Sequence, residues 1–436
     1  MNLKDKLTTG FFELENKGEL HIDDSIHPIR TKAFEAFENK GFPTKKEEEW
    51  KYTPLKAIIN KDYEITNSNE TAVELNDVKK YFIQDIDTYK IVFINGVYSS
   101  FLSETTHSGI DVCLLSSAIK KPKYKLILDH YFNKIAKNNE SLTHLNTAFT
   151  QQGAFIHIPK NTVVSKPIQI IYFSLNGNQF LQPRNLVVVD ENSHVQILER
   201  HQTIDDSSNF TNSVTEIFAA KRAIVDYNKI QNDTEKASLI DQTFVQQKDN
   251  SIVSVNTFSF GGKFTRNNLE FYQEGERLES NLNGFSLLGN KQYVDNHTVV
   301  YHNQPNCESN ELYKGIYADK ATGVFNGKVI VHQKAQLTNA FQQNNSILIG
   351  DKSTIYAKPQ LEIFADDVKC SHGCTIGQLD ETALFYMQQR GIPKKEAHAL
   401  LLYAFGNDVI EKIKFPKLKE RITKLMAKKL GVELGF

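Results

Sequence analysis

"NLVVVDENSHVQIL", residues 185–198, runs an apolar arm into a polar corner and then leaves it through a second, alternating arm. The corner is a polar group followed by the small residue Ser193, and beyond it apolar side chains fall on every second position. The same order returns in "IHIPKNTVV" (156–164), "AAKRAIVDY" (219–227) and "NSIVSVNTFSF" (250–260). With Thr162, Ser193, Ala223 and Ser251 as equivalent marks, the steps are 31, 30 and 28 residues. Strand-like segments that recur near every thirty residues predict a solenoid whose coils pair with one another. "QKAQLTNAF" and "DKSTIYAKPQLEI" repeat the theme at Ala335 and Ser353, out of step with the earlier marks. The chain is read as mainly β, with a parallel β-helix core; a stacked two-sheet sandwich is the alternative.

Outward from these coils, short alternating strands extend from about Ile91 to Ile363, and helical periodicity is nearly absent there. The N-terminal side is helical: "HPIRTKAFEAFENKGF" gathers Ile29, Ala33, Phe34 and Phe37 on one face and stops at Gly41. Trp50 and Tyr52 in "KKEEEWKYTPL" are expected to pack this head onto the strands. After Asp380 the helical pattern returns, with a stop at Gly391 and Pro393 and a last helix opened by Pro416. The divisions are 1–90 (helical), 91–379 (β-helix core) and 380–436 (helical). Leu400, Leu401, Tyr403, Phe405, Val409 and Ile413 give the tail more apolar surface than two short helices bury between them. That surface either caps the solenoid end or meets the groove of a partner protein.

Lysine plus arginine (51) nearly balances aspartate plus glutamate (52), so the net field of a nucleic-acid binder is missing. No apolar run is long enough to cross a membrane, no signal-peptide core opens the sequence, and a cytoplasmic protein is expected. A GxxxxGK[ST] phosphate loop, GxSxG and HExxH are all missing, which removes support for nucleotide hydrolysis and for the common hydrolase classes.

Two of the four cysteines flank a histidine in "DDVKCSHGCTIGQLD" (366–380), read as an extended, glycine-containing loop. Cys370, His372 and Cys374 are soft ligands that suit zinc or iron, but a closed zinc site needs a fourth group. A loop with structural sulfur is the plainer reading. His297, His302, Cys307, Glu308 and His332 crowd the late strands, each read as a polar side chain on the coil surface.

Three segments carry a family resemblance. "GFPTKKEEEWKYTPL" (41–55), "CESNELYKGIYADKATGVFNGKVIVHQKAQLTNAFQQNNSILI" (307–349) and "ADDVKCSHGCTIGQLDETALFYMQQRGIP" (365–393) resemble the SufB/SufD family of iron–sulfur cluster assembly scaffolds. The KCSHG segment is similar to the SufD branch. The resemblance implies a right-handed parallel β-helix flanked by helical regions, and a non-enzymatic scaffold subunit working with SufB and two copies of the ATPase SufC. It implies that this β-helix meets that of SufB, with a transient Fe–S cluster or iron at or near the interface. His372 then matches a cluster or iron ligand, and Cys370 a second thiolate ligand or sulfur-relay residue. Cys374 departs from the family pattern, where a small residue stands. The C-terminal helices, with Leu400, Leu401, Tyr403, Phe405, Val409 and Ile413, would bind SufC, and ATP belongs to SufC. The isolated chain is expected to retain no cofactor, to self-pair as a homodimer, and to bind neither nucleic acid nor membrane. Outside the family, the readings are a polysaccharide-active β-helix enzyme and a static zinc-stabilised adaptor.

Overall fold

The computed structural model describes residues 2–432 apart from 19, 21–24, 66–70, 72, 84–85, 106–108 and 137–139. Its centre is a parallel β-solenoid of about eight turns. Successive strands alternate between two sheets, so each strand pairs with the strand two places on in the chain. One sheet runs from Ala154–Ile158 through Phe210–Ala219, Ser238–Gln247, Phe264–Gln273, Tyr293–His302 and Thr322–Val331 to Thr354–Ile363. The other runs from Tyr89–Ile94 through Ile224–Gln231, Ile252–Ser259, Glu279–Leu288, Glu308–Ala318 and Thr338–Ile349 to Val368–Gly377.

The corner chemistry explains the repeat. Asn161, Asn192, Arg222 and Asn250 take left-handed backbone, with φ of 60°, 58°, 58° and 58°. Asparagine tolerates that region best among residues with a Cβ, and it turns the chain sharply between sheets. The residue after three of these corners drops inward, Ser193, Ala223 and Ser251 being buried, while Thr162 is half-buried. Arg277 and Asn306 continue the series, which makes Cys307 the small buried residue after a corner. Ser353 stands before the Thr354–Ile363 strand, at the opposite corner of the coil, and so falls out of step. Ala335 lies inside a corner that ends at left-handed Leu337.

Side chains alternate between the lumen and the outside. Val253, Val255, Leu282 and Tyr313 from one sheet meet Val245, Phe271, Val300 and Phe325 from the other in an apolar cluster that fills part of the lumen. Helices cover the outer faces. Leu3–Asn16 and His27–Lys40 pack on Phe180, Phe210, Ile240 and Phe264, with Trp50 in the same cluster. The guanidinium of Arg266 lies 3.8 Å over the Trp50 ring, and Tyr52 stacks on Tyr356 at 4.6 Å.

Two expectations need correction. Helices at Leu115–Ile119, Lys125–Tyr131 and Ser141–Ala148 interrupt the stretch read as strands alone. The first two are 5 and 7 residues long, too short to show a period, and Ser141–Ala148 is buried nearly all round, so it has no polar face to betray it. The C-terminal tail, which one reading placed as a cap on the solenoid end, lies along the side. Lys394–Ile410 and Pro416–Leu430 press Leu402, Val409, Ile413, Leu418 and Ile422 onto Phe258, Phe285 and Ile316. Among the described residues no strand pairs beyond Thr354–Ile363 and Val368–Gly377, the outermost strands of their sheets.

Candidate functional site

The segment read as a loop around Cys370 is the terminal strand Val368–Gly377, paired with Thr338–Ile349. Its register places Cys370 beside Ala340, His372 beside Gln342, Cys374 beside Asn344 and Ile376 beside Ser346. One coil further in, Gln342 stands beside Glu311, and Glu311 beside Leu282, a lumen residue. Cys370, His372 and Cys374 therefore share the inward face of the last strand, at the mouth of the lumen, while Lys369, Ser371, Gly373 and Thr375 face outward. A period of two in "KCSHGCTIG" carried this information, but the glycines favoured a loop reading.

Cys370 is half-buried, and His372 and Cys374 are exposed. Residues four apart on a strand are separated by about 13 Å, so Cys370 and Cys374 cannot join in a disulfide. Burial pushes both thiols above their ordinary range, the backbone at Ala340 partly offsetting this at Cys370. Both are therefore thiols at neutral pH, and binding a metal would displace the proton. Cys374 Sγ reaches Asn344 Oδ1 at 3.8 Å. Among the described residues no three His, Cys, Asp or Glu side chains converge on a common point. A closed structural zinc site is thus not built among the described residues; Cys370, His372 and Cys374 stand on the outermost strand of their sheet.

Below this mouth the lumen is polar in a way the sequence reading missed. Glu311 and Gln342 are 4% and 3% exposed, and Gln342 Nε2 donates to Glu311 Oε2 at 2.7 Å. Burial pushes the Glu311 carboxyl up to about 7, against the downward pull of Thr298 and Gln342. Deeper in, Lys229 Nζ donates to Asp241 Oδ1 and Oδ2 at 2.8 and 2.7 Å and to Thr243 at 2.5 Å, with Glu199 at 4.0 Å. His201 Nε2 bonds Glu199 Oε1 at 2.7 Å, and Gln231 links Asp241 to Asn267.

The other late-strand candidates separate. His302 belongs to the lumen rather than the coil surface: it is fully buried, bonds Ser309 Oγ at 2.9 Å, and burial pushes its pKa down to about 3. His297 lies on the outer face between Asp295 (2.9 Å) and Glu49 (3.2 Å), tying the N-terminal segment to the sheet. His332 is exposed at a corner.

Of the tail residues, Val409 and Ile413 are buried under the helices, whereas Leu400, Leu401, Tyr403 and Phe405 are half-buried. Lys314 Nζ donates to the Phe405 carbonyl at 3.0 Å and lies 4.7 Å from its ring. Phe385 and Tyr386, 62% and 59% exposed on the Glu381–Gln389 helix, stand freer than any of these. No helix among the described residues is long and apolar enough to cross a membrane.

Comparison with known proteins agrees with this architecture. Residues 172–405 match the family described as SUF system FeS cluster assembly, SufBD core domain, and residues 1–170 match the SufBD protein N-terminal region. An iron–sulfur cluster assembly SufBD family protein of Synechocystis is 31% identical over 87% of this chain and 86% of its own length. The iron–sulfur cluster assembly protein SufD of Escherichia coli is 27% identical over 89% and 90%, and that of Bacillus subtilis 24% over 99% and 100%. A parallel solenoid with helical flanks, matched by the two family regions over residues 1–170 and 172–405, makes this chain a member of the SufBD family of the SUF iron–sulfur cluster assembly system.

Proposed function

We propose that the chain is a SufD-type scaffold subunit that presents its terminal strand to SufB and lends His372 and Cys370 to a transient Fe–S cluster or iron between the two proteins. The observation that carries this reading is the alternation on Val368–Gly377, which sets Cys370 and His372 on one face of an unpaired edge strand. An edge strand offers a row of free backbone donors and acceptors, which a second β-solenoid can use. Cys370 is either a second thiolate ligand or a sulfur-relay residue.

The C-terminal helices are proposed to hold SufC, which supplies ATP binding and hydrolysis. Leu400, Leu401, Tyr403 and Phe405 carry this part, since Val409 and Ile413 are occupied by the solenoid. A pull-down in which Leu401→Asp with Phe405→Asp, still folded by circular dichroism, retained SufC at the wild-type level would remove it.

The test of the site is anaerobic iron and sulfide analysis with visible spectroscopy on the chain co-expressed with SufB and SufC. His372→Ala is expected to assemble the complex and lose the cluster, and Cys370→Ser to lower its yield. Equal loading of His372→Ala and wild type sinks the ligand role.

A further inference from the structure

The column behind His372 is built in an unusual way for a solenoid lumen. Leu282, Glu311, Gln342 and His372 occupy one register, coil after coil, about 4.8 Å apart. The first is apolar, and the next two form a hydrogen-bonded polar pair sealed from solvent. Gln342 uses half of its amide: Nε2 is spent on Glu311, while Oε1 is buried with no partner. A buried acceptor without a donor costs stability of order 1–3 kcal/mol in general, so its presence asks for a reason. The next inward residue up the column is His372.

Space has been left for this arrangement. Opposite, on the other sheet, stands Gly327, where a Cβ would lie 2.4 Å from Gln342 Nε2. A side chain there would crowd the amide that donates to Glu311. The Gln342 amide faces Glu311 with its Nε2 end, which donates to Glu311 Oε2, and its carbonyl end is turned away.

We propose that Gln342 and Glu311 are positioning residues for His372: Gln342 Oε1 accepts the N–H of one imidazole nitrogen, the other nitrogen stays unprotonated for a metal, and Glu311 holds the amide in that orientation. This rests on His372 being the ligand proposed above. A metal-bound imidazole characteristically donates its second ring N–H to a carbonyl or carboxylate, and loss of that partner lowers metal affinity by roughly 10–100-fold. Glu311 and Gln342 touch no metal themselves.

Two readouts test it. In the chain labelled with 15N-histidine, the His372 signals, identified by their loss in His372→Ala, are expected to report one neutral tautomer with a protected N–H. Gln342→Met, similar in length but without an acceptor, is expected to give a tautomer mixture. Glu311→Met is expected to do the same, and Glu311→Gln, which still accepts from Gln342 Nε2, to restore the single form. In the complex with SufB and SufC, anaerobic Fe²⁺ titration is expected to weaken roughly 10–100-fold in both Met variants and to be near wild type in Glu311→Gln. An unchanged tautomer in folded Gln342→Met overturns the proposal. If instead His372→Ala binds iron like wild type, the ligand reading fails, and the tautomer measurement still decides the hydrogen bond. Equal weakening in Glu311→Gln and Glu311→Met also overturns the orienting role.

Discussion

Glu311→Gln should make the protein more stable at alkaline pH and leave it nearly unchanged at acid pH. The Glu311 carboxyl is fully buried, and the polar groups acting on it are the Thr298 hydroxyl and the Gln342 amide, neither of them charged. Burial therefore dominates and pushes its pKa from 4.5 to about 7. The folded chain holds this proton more tightly than the unfolded chain, so folding takes up a proton between those two values. Stability from this group is complete below the unfolded pKa and is lost as pH rises through the folded one. Holding the carboxyl at about 7 rather than 4.5 amounts to ~3 kcal/mol. That is a large share of the 5–15 kcal/mol that typically separates folded from unfolded chains. Glutamine never ionises, so the difference between variant and wild type isolates this one carboxyl from every other titrating group. Urea unfolding of both proteins at half-unit steps from pH 4.5 to 8 is the assay. The variant's advantage should grow from near zero to ~3 kcal/mol, with most of the change before pH 7.5. A gap that stays flat across that range refutes the reasoning, because it would mean the carboxyl is solvated or paired in solution.

Three further outcomes are expected. Lys229→Met leaves Asp241 and Glu199 in the lumen without their cation, and should cost about 3–5 kcal/mol in denaturant unfolding; Lys229→Met with Asp241→Leu should recover most of it. Gly284→Ala places a Cβ 2.2 Å from the buried Tyr313 ring, and should lower the urea midpoint by an amount worth about 1–3 kcal/mol. Oxidation by diamide should yield no Cys370–Cys374 disulfide on peptide mapping, since the two lie on one extended strand.

The fold was legible because its corners are chemical. Asn192, Arg222 and Asn250 turn the chain in left-handed backbone, the next residue is small and buried, and that order can be counted along the sequence. The helices between 115 and 148 were not legible, because two are too short and one is too buried to display a period. At the proposed site, the residue types in "KCSHGC" singled out the segment, but treating it as a loop hid the face that Cys370, His372 and Cys374 share. Glu311 and Gln342 could not be sorted by pattern. In "ESNELYKG" the outward residue Leu312 is itself packed against the C-terminal helices, so both faces of the strand are shielded and alternation loses its meaning. The Lys229–Asp241 pair needed knowledge of which coils face each other across the lumen, which a single sequence does not contain.

Among the described residues no strand pairs beyond the last coil of the solenoid, so the molecule has a direction of growth. Each coil is a template for the next, and the stack stops with two strands that have donors and acceptors to spare. A coil duplicated in the middle would lengthen the body by about 4.8 Å and carry Cys370 and His372 outward unchanged. Their address is therefore counted from the tip, not from the first residue. Body length and site chemistry can drift independently, provided that the final rung keeps its phase.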